Sequence, residues 1–418
     1  MGAMIKRWGL CLTMAACSLL NTPAYAAPQL NGFAEWRGGL RLGGDAHQSN
    51  DATLDEARLQ LDSSASWKNV QFRGKADFMY DAVDSEADID PREVSAAISP
   101  LSAVDLKLGR QTLTWGVGDY LFINDLFPKD WKSFLLGRDD EYLKAPSDAV
   151  KASFFSDIAN LDVVYTPRFN PDRYIDGKRV SFFNPRLNRL AGAGDAFAVE
   201  KRDDWFTDDE VAARISRNIG GFDAALYGYH GFWKSPMGFD AISEKATFPP
   251  LGVYGASVRG NVVRGVGSLE TGYYDSPEDR SGDDPLVPNS QARVLVGYEQ
   301  EIVTDFTVGG QYYLEHMMSF GAYRASLPNG TALADEDRHV LTSRLTWLAL
   351  HQSLRLSLFT FYSPSDNDAY LRPTADYRID DHWAASIGAN LFMGESERTF
   401  FGQFEDAANV FASLRYGF

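Results

Sequence analysis

Cysteine is nearly absent from this sequence. The two cysteines, Cys11 and Cys17, both precede a predicted cleavage site after Ala26. A chain cut there contains no cysteine, which excludes disulfides, thiolate catalysis and cysteine metal sites. An exported chain of this kind must be stabilised in another way.

The first 26 residues have the layout of a secretory signal peptide. Lys6 and Arg7 precede an apolar run over residues 8–20, and residues 24–26 (Ala-Tyr-Ala) match an A-x-A cleavage site. The run, about 13 residues, is too short to span a bilayer comfortably. A lipoprotein signal acylated at Cys17 is the weaker alternative, because Cys17 lies inside the apolar run. We therefore predict a signal peptide over 1–26 and one domain over 27–418.

The rest of the chain lacks long apolar runs and an excess of positive charge. No stretch approaches 18 apolar residues, so no transmembrane helix is predicted. Without Lys6 and Arg7, 38 basic residues stand against 57 acidic ones, a net charge of −19. Such a chain is a poor partner for nucleic acid. Aromatic residues (27 Phe, 19 Tyr, 9 Trp) are abundant, as expected of strands with a lipid-facing side.

Motifs for catalysis and metal binding are also missing. The chain contains no G-x-S-x-G, HExxH or phosphate-loop sequence. Its six histidines are dispersed without metal-ligand spacing. We therefore predict no enzyme activity, no metal and no cofactor.

The last residues form a strand pattern with period two. Val410, Ala412, Leu414, Tyr416 and Phe418 occupy every second position, and the chain ends on the aromatic ring. This segment resembles the C-terminal strand signature of bacterial outer-membrane proteins. The resemblance implies a Gram-negative outer membrane, contact with lipid and lipopolysaccharide, and reading of Phe418 by the barrel-assembly machinery.

Apolar and polar residues alternate along the whole chain. In the first segment Leu30, Trp36 and Leu40 share one face, whereas Glu35 and Arg37 share the other. Segments of about 11–13 residues repeat this rule, and a tilted strand needs about 9–11 residues to cross the hydrocarbon. Counting such segments predicts about 18 strands.

Short and long connections also alternate. This alternation is typical of an even-stranded outer-membrane barrel. The sequence therefore predicts an all-β, transmembrane, antiparallel up-and-down β-barrel with short periplasmic turns and long extracellular loops. Pro373 inside a predicted strand indicates a bulge or a misplaced boundary. The predicted turns are 68–69, 100–102, 156–159, 218–221, 260–261, 303–305, 349–352 and 380–382; the predicted loops are 43–53, 81–91, 116–146, 167–208, 234–250, 275–289, 317–336, 363–368 and 394–406.

Strand parity assigns the charges that face the lumen, where basic residues outnumber acidic ones. Basic rings in a pore favour anions through Coulomb attraction. The alternative is that opposite charges pair along the wall and simply line a wet interior. The basic residues predicted to line the solute path are Arg37, Arg41, Arg58, Arg73, Lys75, Lys107, Arg214, Arg293, Arg344, Arg355 and Arg415, with Arg259 and Arg372 on the same face; the inward acidic residues are Glu35, Glu56, Asp62, Asp77, Asp105, Glu270, Glu299, Glu315 and Asp376.

The loop 116–146 mixes aromatic and charged residues, which suits a segment folded into the barrel as a constriction. It follows residues 109–116 (Gly-Arg-Gln-Thr-Leu-Thr-Trp-Gly), which resemble strand-to-loop segments of porin-like families of the alginate-export kind. That resemblance implies an approximately 18-stranded barrel and an anionic substrate. The candidate constriction residues are Trp115, Asp119, Lys129, Trp131, Lys132 and Arg138.

These patterns predict an outer-membrane porin for passive passage of hydrophilic, anionic solutes. One alternative is a barrel scaffold that encloses or docks a partner protein in an envelope complex. An outer-membrane enzyme barrel is the other alternative. The sequence leaves open the solute, import or export, a monomer or a trimer, and whether loops 116–146 and 167–208 gate the pore.

Overall fold

Eighteen antiparallel strands close into one barrel in the computed structural model, which describes residues 29–328, 331 and 333–418. The first and last strands pair with each other, with Phe33 opposite Gly417 and Arg41 opposite Asn409. Closure leaves no strand edge without a hydrogen-bonding partner, the condition for a sheet that spans a membrane. The predicted barrel and its strand count are confirmed, whereas the predicted signal peptide (1–26) lies outside the described residues.

The barrel strands are named β1 to β18 in chain order. Their bounds are Gln29–Arg41, Ala52–Trp67, Val70–Asp81, Glu86–Leu101, Val104–Gln111, Ser147–Phe154, Asn160–Thr166, Glu210–Ile219, Phe222–Phe232, Pro250–Val262, Gly265–Asp275, Gln291–Val303, Phe306–Met317, Asp337–Ala349, Leu354–Ser363, Asp368–Arg378, Trp383–Gly394 and Asn409–Gly417.

The outer face of the wall is apolar, as the alternation predicted. Trp36, Leu226 and Ile387 are 50–61% exposed there, an arrangement that suits contact with lipid. Exposed rings also lie near both ends of the strands: Trp67, Trp347, Trp383 and Tyr416 towards the rim with the short turns, and Tyr80, Tyr254, Tyr273 and Tyr362 towards the rim with the long loops. Among the described residues, no helix has the length and apolar character needed to cross a membrane.

Three features of the wall differ from the prediction: one turn, one loop and the pairing at Pro373. The turn expected at 260–261 lies at 263–264, because β10 and β11 stay paired through Val262 and Gly265. The loop expected over 81–91 spans only 82–85, so Glu86, Asp88 and Asp90 belong to β4. At Pro373 we find no bulge: β16 keeps its register, but its pairing with β17 is interrupted at Arg372 and Pro373.

The long loops contain the remaining regular structure. Helix α1 covers Trp131–Leu136 and helix α2 covers Phe320–Ser326. Two short hairpins pair Phe182–Asn184 with Arg189–Ala191, and Gly238–Asp240 with Lys245–Thr247. Three 3-10 turns cover Asp140–Leu143, Ala193–Asp195 and Gly402–Ala407.

The apolar core lies inside the barrel, where the loop residues 112–146 pack against the wall. Phe134 and Leu135 of α1 are buried in the same cluster as Phe359, Tyr370 and Phe392, which point inward from β15 to β17. The inward face was predicted to be charged throughout. At the level of this loop that prediction is wrong, because the wall there must pack against apolar loop residues.

Candidate functional site

Residues 112–146, named the constriction loop, fold back into the lumen and contact inward side chains around most of the barrel. Tyr274 on β11 donates to the carbonyl of Ile123 (2.5 Å). Far from there, the Nδ2 atoms of Asn390 and Asn409, on β17 and β18, donate to the carbonyl of Leu135 (3.1 and 3.2 Å). The loop is therefore held inside the barrel at two distant places.

The first attachment, named the carboxylate anchor, is the side chain of Glu270 on β11. Its two oxygens accept hydrogen bonds from the backbone N–H groups of Val117 (2.8 Å), Gly118 (3.1 Å) and Asn124 (2.8 Å), and from Asn124 Nδ2 (2.9 Å). Glu270 is 1% exposed. At Gly116, where φ is +80°, a Cβ atom would lie 2.7 Å from Glu270 Oε1. Only glycine combines this conformation with so close an approach.

The second attachment, named the arginine anchor, joins residues 138–140 to four strands. Arg37 on β1 and Arg415 on β18 both pair with Asp139 of the loop. A further ion pair joins Arg138 of the loop to Glu56 on β2, so here the loop supplies the arginine and the wall supplies the carboxylate. The Nε atom of Arg138 donates to the Glu56 carboxylate at 3.0 Å. On β16, Arg372 donates to the carbonyl of Arg138 (2.8 Å) and pairs with Asp140 (3.0 Å).

Between the anchors, α1 is a six-residue helix with both ends capped. The Asp130 carboxylate accepts from Ser133 N–H (2.8 Å) at its start. At its end, Gly137 has φ +87°, and a Cβ there would lie 2.2 Å from the Phe411 ring. Gly137 is thus required both by the left-handed cap and by close packing on β18.

Three cavities surround the constriction loop. The arginine cavity, about 370 Å³, is lined by six arginines and four acidic residues. The glycine cavity, about 340 Å³, is lined by Arg259, Glu299 and the glycines of β12 and β13. Arg344 and Phe359 line both. On the other side of α1, the outer vestibule of about 960 Å³ is enclosed mainly by apolar residues of the long loops.

Most of the basic residues predicted to line the solute path are neutralised by acidic partners. Arg355 in the arginine cavity and Arg259 in the glycine cavity make no ion pair within 4.0 Å among the described residues, although Asp376 lies opposite Arg355 on the next strand. The pairs are Arg37–Glu35, Arg41–Asp45, Arg58–Asp77, Arg73–Asp62, Lys75–Glu141, Lys107–Glu93, Arg214–Asp162, Arg293–Glu315, Arg344–Asp119 and Arg415–Glu35.

Seven of the residues predicted to line the solute path lie in none of the three cavity linings: Arg41, Arg58, Arg73, Lys75, Lys107, Arg214 and Arg293. Arg41 donates to the carbonyl of Arg179 (3.0 Å) and so holds a loop in place. Arg58 is covered by the Tyr142 ring at 4.2 Å. Arg73 and Lys107 lie on β3 and β5 and line none of the three cavities.

The candidate constriction residues are spread over the loop and lie in different surroundings. Asp119 faces the glycine cavity and Arg138 the arginine cavity, whereas Trp131 lines the outer vestibule. Trp115 packs on Phe127, with ring centroids 5.0 Å apart.

Two lysines of this candidate set make ion pairs. Lys132 pairs with Asp176 at 2.6 Å. Lys129 is buried and donates to Asp125 and to the Phe127 carbonyl, and burial lowers its pKa. Lys129 therefore acts as a structural crosslink within the loop and not as part of a water-filled path.

The loop 167–209 packs on the constriction loop. Asp172 accepts from Lys129 N–H (2.7 Å) and Trp131 Nε1 (3.0 Å), and burial raises the pKa of this carboxyl. Arg173 pairs with Asp130 and with Asp90 of the wall. Asp172 and Arg173 thus bond this loop to the constriction loop and to the wall.

Sequence reasoning placed Glu270 in the lumen but did not reveal its role as an anchor. The inward rings of Phe359, Phe361 and Tyr370 were missed altogether. The signal that could have found them is local: near the loop rim β15 reads Phe359-Thr360-Phe361-Tyr362, which is apolar on both faces. A strand segment apolar on both faces is buried on both sides, so it marks where the constriction loop packs.

Comparison with known proteins gives matches at the level of structure alone. No family model matches the chain, and no curated protein matches its sequence. OccAB4 of Acinetobacter baumannii aligns with a TM-score of 0.59 at 8% identity, over 94% of this chain and 99% of the other. OccD3 (OpdP) of Pseudomonas aeruginosa aligns with a TM-score of 0.56 at 10% identity, over 94% and 91%. OccK11 (OpdR) of the same organism gives 0.54 at 8% identity, over 93% and 95%.

These solved structures are outer-membrane porins of the Occ type. Since the three identities are 8–10%, the likeness concerns the fold. This chain therefore has the closed 18-stranded barrel fold of outer-membrane porins, as its resemblance to porin-like barrels implied.

Proposed function

We propose that this chain is a channel in the Gram-negative outer membrane for passive passage of small hydrophilic solutes. The observation that carries the proposal is the arrangement of the lumen: a closed barrel with an apolar outer wall contains an inward-folded loop flanked by charged cavities. Barrels of 16–18 strands leave an aqueous channel. An inward loop then narrows that channel to the size of a small solute.

We further propose a preference for anions. Six arginines against four acidic residues line the arginine cavity. Among the described residues, Arg355 in the arginine cavity and Arg259 in the glycine cavity have no ion-pair partner within 4.0 Å, and the acidic residues Asp376 and Glu299, which line the same two cavities, are also outside ion pairs. An anion in the lumen is attracted to these two arginines, while the paired arginines contribute little at a distance.

Planar-bilayer recording tests both parts. We expect discrete channels whose reversal potential in a salt gradient has the sign of anion selectivity. A charge about 7 Å from the ion path in a water-like dielectric attracts an anion and repels a cation by about 0.6 kcal/mol each. Salt at about 0.1 M roughly halves both energies, so Arg355→Gln should lower the anion-to-cation permeability ratio about two- to threefold. Arg73→Gln, which removes an inward charge away from both cavities, is the matched control. Cation selectivity of the unmodified protein would reject the anion preference, and silent, correctly folded barrels would reject the channel.

The alternatives gain less support from the molecule. A scaffold that encloses a partner needs a free lumen, whereas here residues 112–146 fill much of it. Contacts with lipopolysaccharide and with the assembly machinery stay predictions. For the latter, the Phe418 backbone closes the barrel by exchanging two 3.0 Å hydrogen bonds with Gly32, which places the terminal ring at the seam.

A further inference from the structure

The outer vestibule and the arginine cavity meet across a layer of aromatic rings. Phe134 lines the vestibule and Tyr120 lines the arginine cavity, with ring centroids 5.1 Å apart. Tyr120 also packs on Phe359 at 4.6 Å, and Phe134 packs on Tyr370 at 5.4 Å. These four residues are named the aromatic septum. Rings at such distances are in van der Waals contact.

Three of the four rings are fixed by their positions. Phe359 and Tyr370 project from β15 and β16, and Phe134 projects from the capped helix α1. All three are no more than 3% exposed. Tyr120 is only partly buried and lies on an irregular segment of the constriction loop. It is the one member of the septum that can move without breaking a strand or a helix.

The backbone of Tyr120 is held in an uncommon conformation. Its φ is +60°, the left-handed region, which is a true outlier for a bulky side chain. Strain of this kind persists only where the surroundings impose it, and it concentrates at clamps and switch regions. Here the two residues that precede Tyr120 are both held: Gly118 N–H donates to Glu270, and the two carboxylate oxygens of Asp119 accept from Arg344 (2.5 and 2.9 Å).

Arg344 also holds the Tyr120 ring itself. Its guanidinium lies 4.8 Å from the centroid of Tyr120 and 4.8 Å from that of Phe359. Such cation–π contacts are worth about 0.5–2 kcal/mol, depending on desolvation. The ring is therefore restrained by contacts weak enough to exchange during passage of a solute.

We propose that Tyr120 is the specificity-determining residue of the channel. Its ring is the movable part of the aromatic septum, and its displacement sets the largest solute that crosses from the outer vestibule to the arginine cavity. This inference rests on the proposed channel function.

The test compares single-channel conductance and liposome swelling by sugars of increasing size for the unmodified protein, Tyr120→Phe and Tyr120→Ala. Tyr142→Ala is the control, because that ring lies in the same loop but stacks on the wall residues Arg58 and Arg92. Tyr120→Ala should raise conductance at least about twofold and admit larger sugars, since a whole ring leaves the aromatic septum. Tyr120→Phe and Tyr142→Ala should keep the conductance of the unmodified channel.

The outcomes separate this inference from the proposed function. If the unmodified barrel conducts and Tyr120→Ala changes neither conductance nor the sugar limit, the role of Tyr120 is overturned while the channel stands. If neither folded barrel conducts, both ideas fall. If the unmodified barrel is silent and Tyr120→Ala conducts, the blocking role of Tyr120 stands while passive passage through the unmodified protein is rejected. Heat-modifiable migration on gels verifies folding of each variant.

Discussion

The two anchors of the constriction loop fasten it by opposite chemistry. At the carboxylate anchor a single wall residue, Glu270, accepts four hydrogen bonds from the loop, three of them from backbone N–H groups. At the arginine anchor several wall residues share the loop carboxylates, and Asp139 alone is bound by both Arg37 and Arg415. The first attachment is concentrated in one side chain, and the second is distributed.

This difference determines how each attachment responds to damage. Removing an acceptor that serves several buried donors leaves all of them without a partner, and each costs about 1–3 kcal/mol. Removing one donor from a network in which the acceptor keeps another donor costs much less. The carboxylate anchor should therefore fail when one residue is changed, whereas the arginine anchor should fail only when two are changed together.

Glu270→Ala should produce the largest effect. Four donors of residues 117–124 lose their acceptor. The attachment then loses about 3–6 kcal/mol of stabilisation, with water replacing part of the lost hydrogen bonding. We expect the segment to leave the wall, with a conductance at least about twice that of the unmodified channel and new protease cleavage within 117–124. Glu299→Ala is the control, since this inward glutamate lines the glycine cavity on the next strand. Unchanged conductance with a protected loop would contradict a concentrated anchor.

Gly255→Ala should have the next largest effect. A Cβ at this position on β10 would lie 1.8 Å from Asn124 Oδ1 and 2.7 Å from the Thr271 carbonyl. Asn124 must then move and lose its side-chain bonds to Glu270 and Thr271, about 1 kcal/mol each. We expect increased current noise from a loop that leaves the wall intermittently.

Gly228→Ala is the matched control for this substitution. Gly228 lies on the neighbouring strand β9, and a Cβ added there meets nothing within 4 Å. Equal noise in both variants would show that the effect comes from loss of glycine in the wall and not from displacement of Asn124.

The barrel was predictable because its physical cause acts on every strand. A wall with lipid outside and water inside needs alternate residues of opposite character, and Leu30, Trp36 and Leu40 show this in the first strand alone. The misplaced turn has a different origin. Gly260-Asn261 has favourable turn residues, but the hairpin extends two residues further to Val263, which adopts φ +57°. Pairing along the sheet outweighed local turn preference there.

The anchors could not be predicted because they depend on where a long loop meets the wall. Parity gives the direction of Glu270 and Arg37, but not which loop atoms reach them. The acidic partners of several lumen arginines, such as Asp119 and Asp139, come from the constriction loop itself. A count of charges along the strands alone therefore overstated the positive charge of the lumen.

We expect the smallest effects from alanine variants of Arg37 and Arg415, made singly and together. These variants also give the sharpest test of a distributed anchor. The measured quantity is the fraction of time spent in the higher-conductance level, expressed as a free energy. Each single alanine variant should shift it by less than about 1 kcal/mol, because Asp139 keeps the other arginine. The double variant should exceed the sum of the singles by about 1–2 kcal/mol, as expected of residues that share a partner. Strict additivity would contradict the network.

The pH dependence of the same variants follows from the sign of the shift at Asp139. Burial raises the pKa of this carboxyl, but Arg37 and Arg415 lower it further, so that it lies below its ordinary value of 3.8. A group with a depressed pKa contributes its stabilisation above the ordinary pKa and loses it only as pH falls through the depressed value. The unmodified channel should thus behave alike at pH 7 and pH 5. In the double variant both arginines are gone while the partial burial remains, so the pKa of Asp139 should rise and acid should change the gating at a higher pH than in the unmodified channel. A double variant as insensitive to pH as the unmodified channel would mean that water, and not the two arginines, keeps Asp139 ionised.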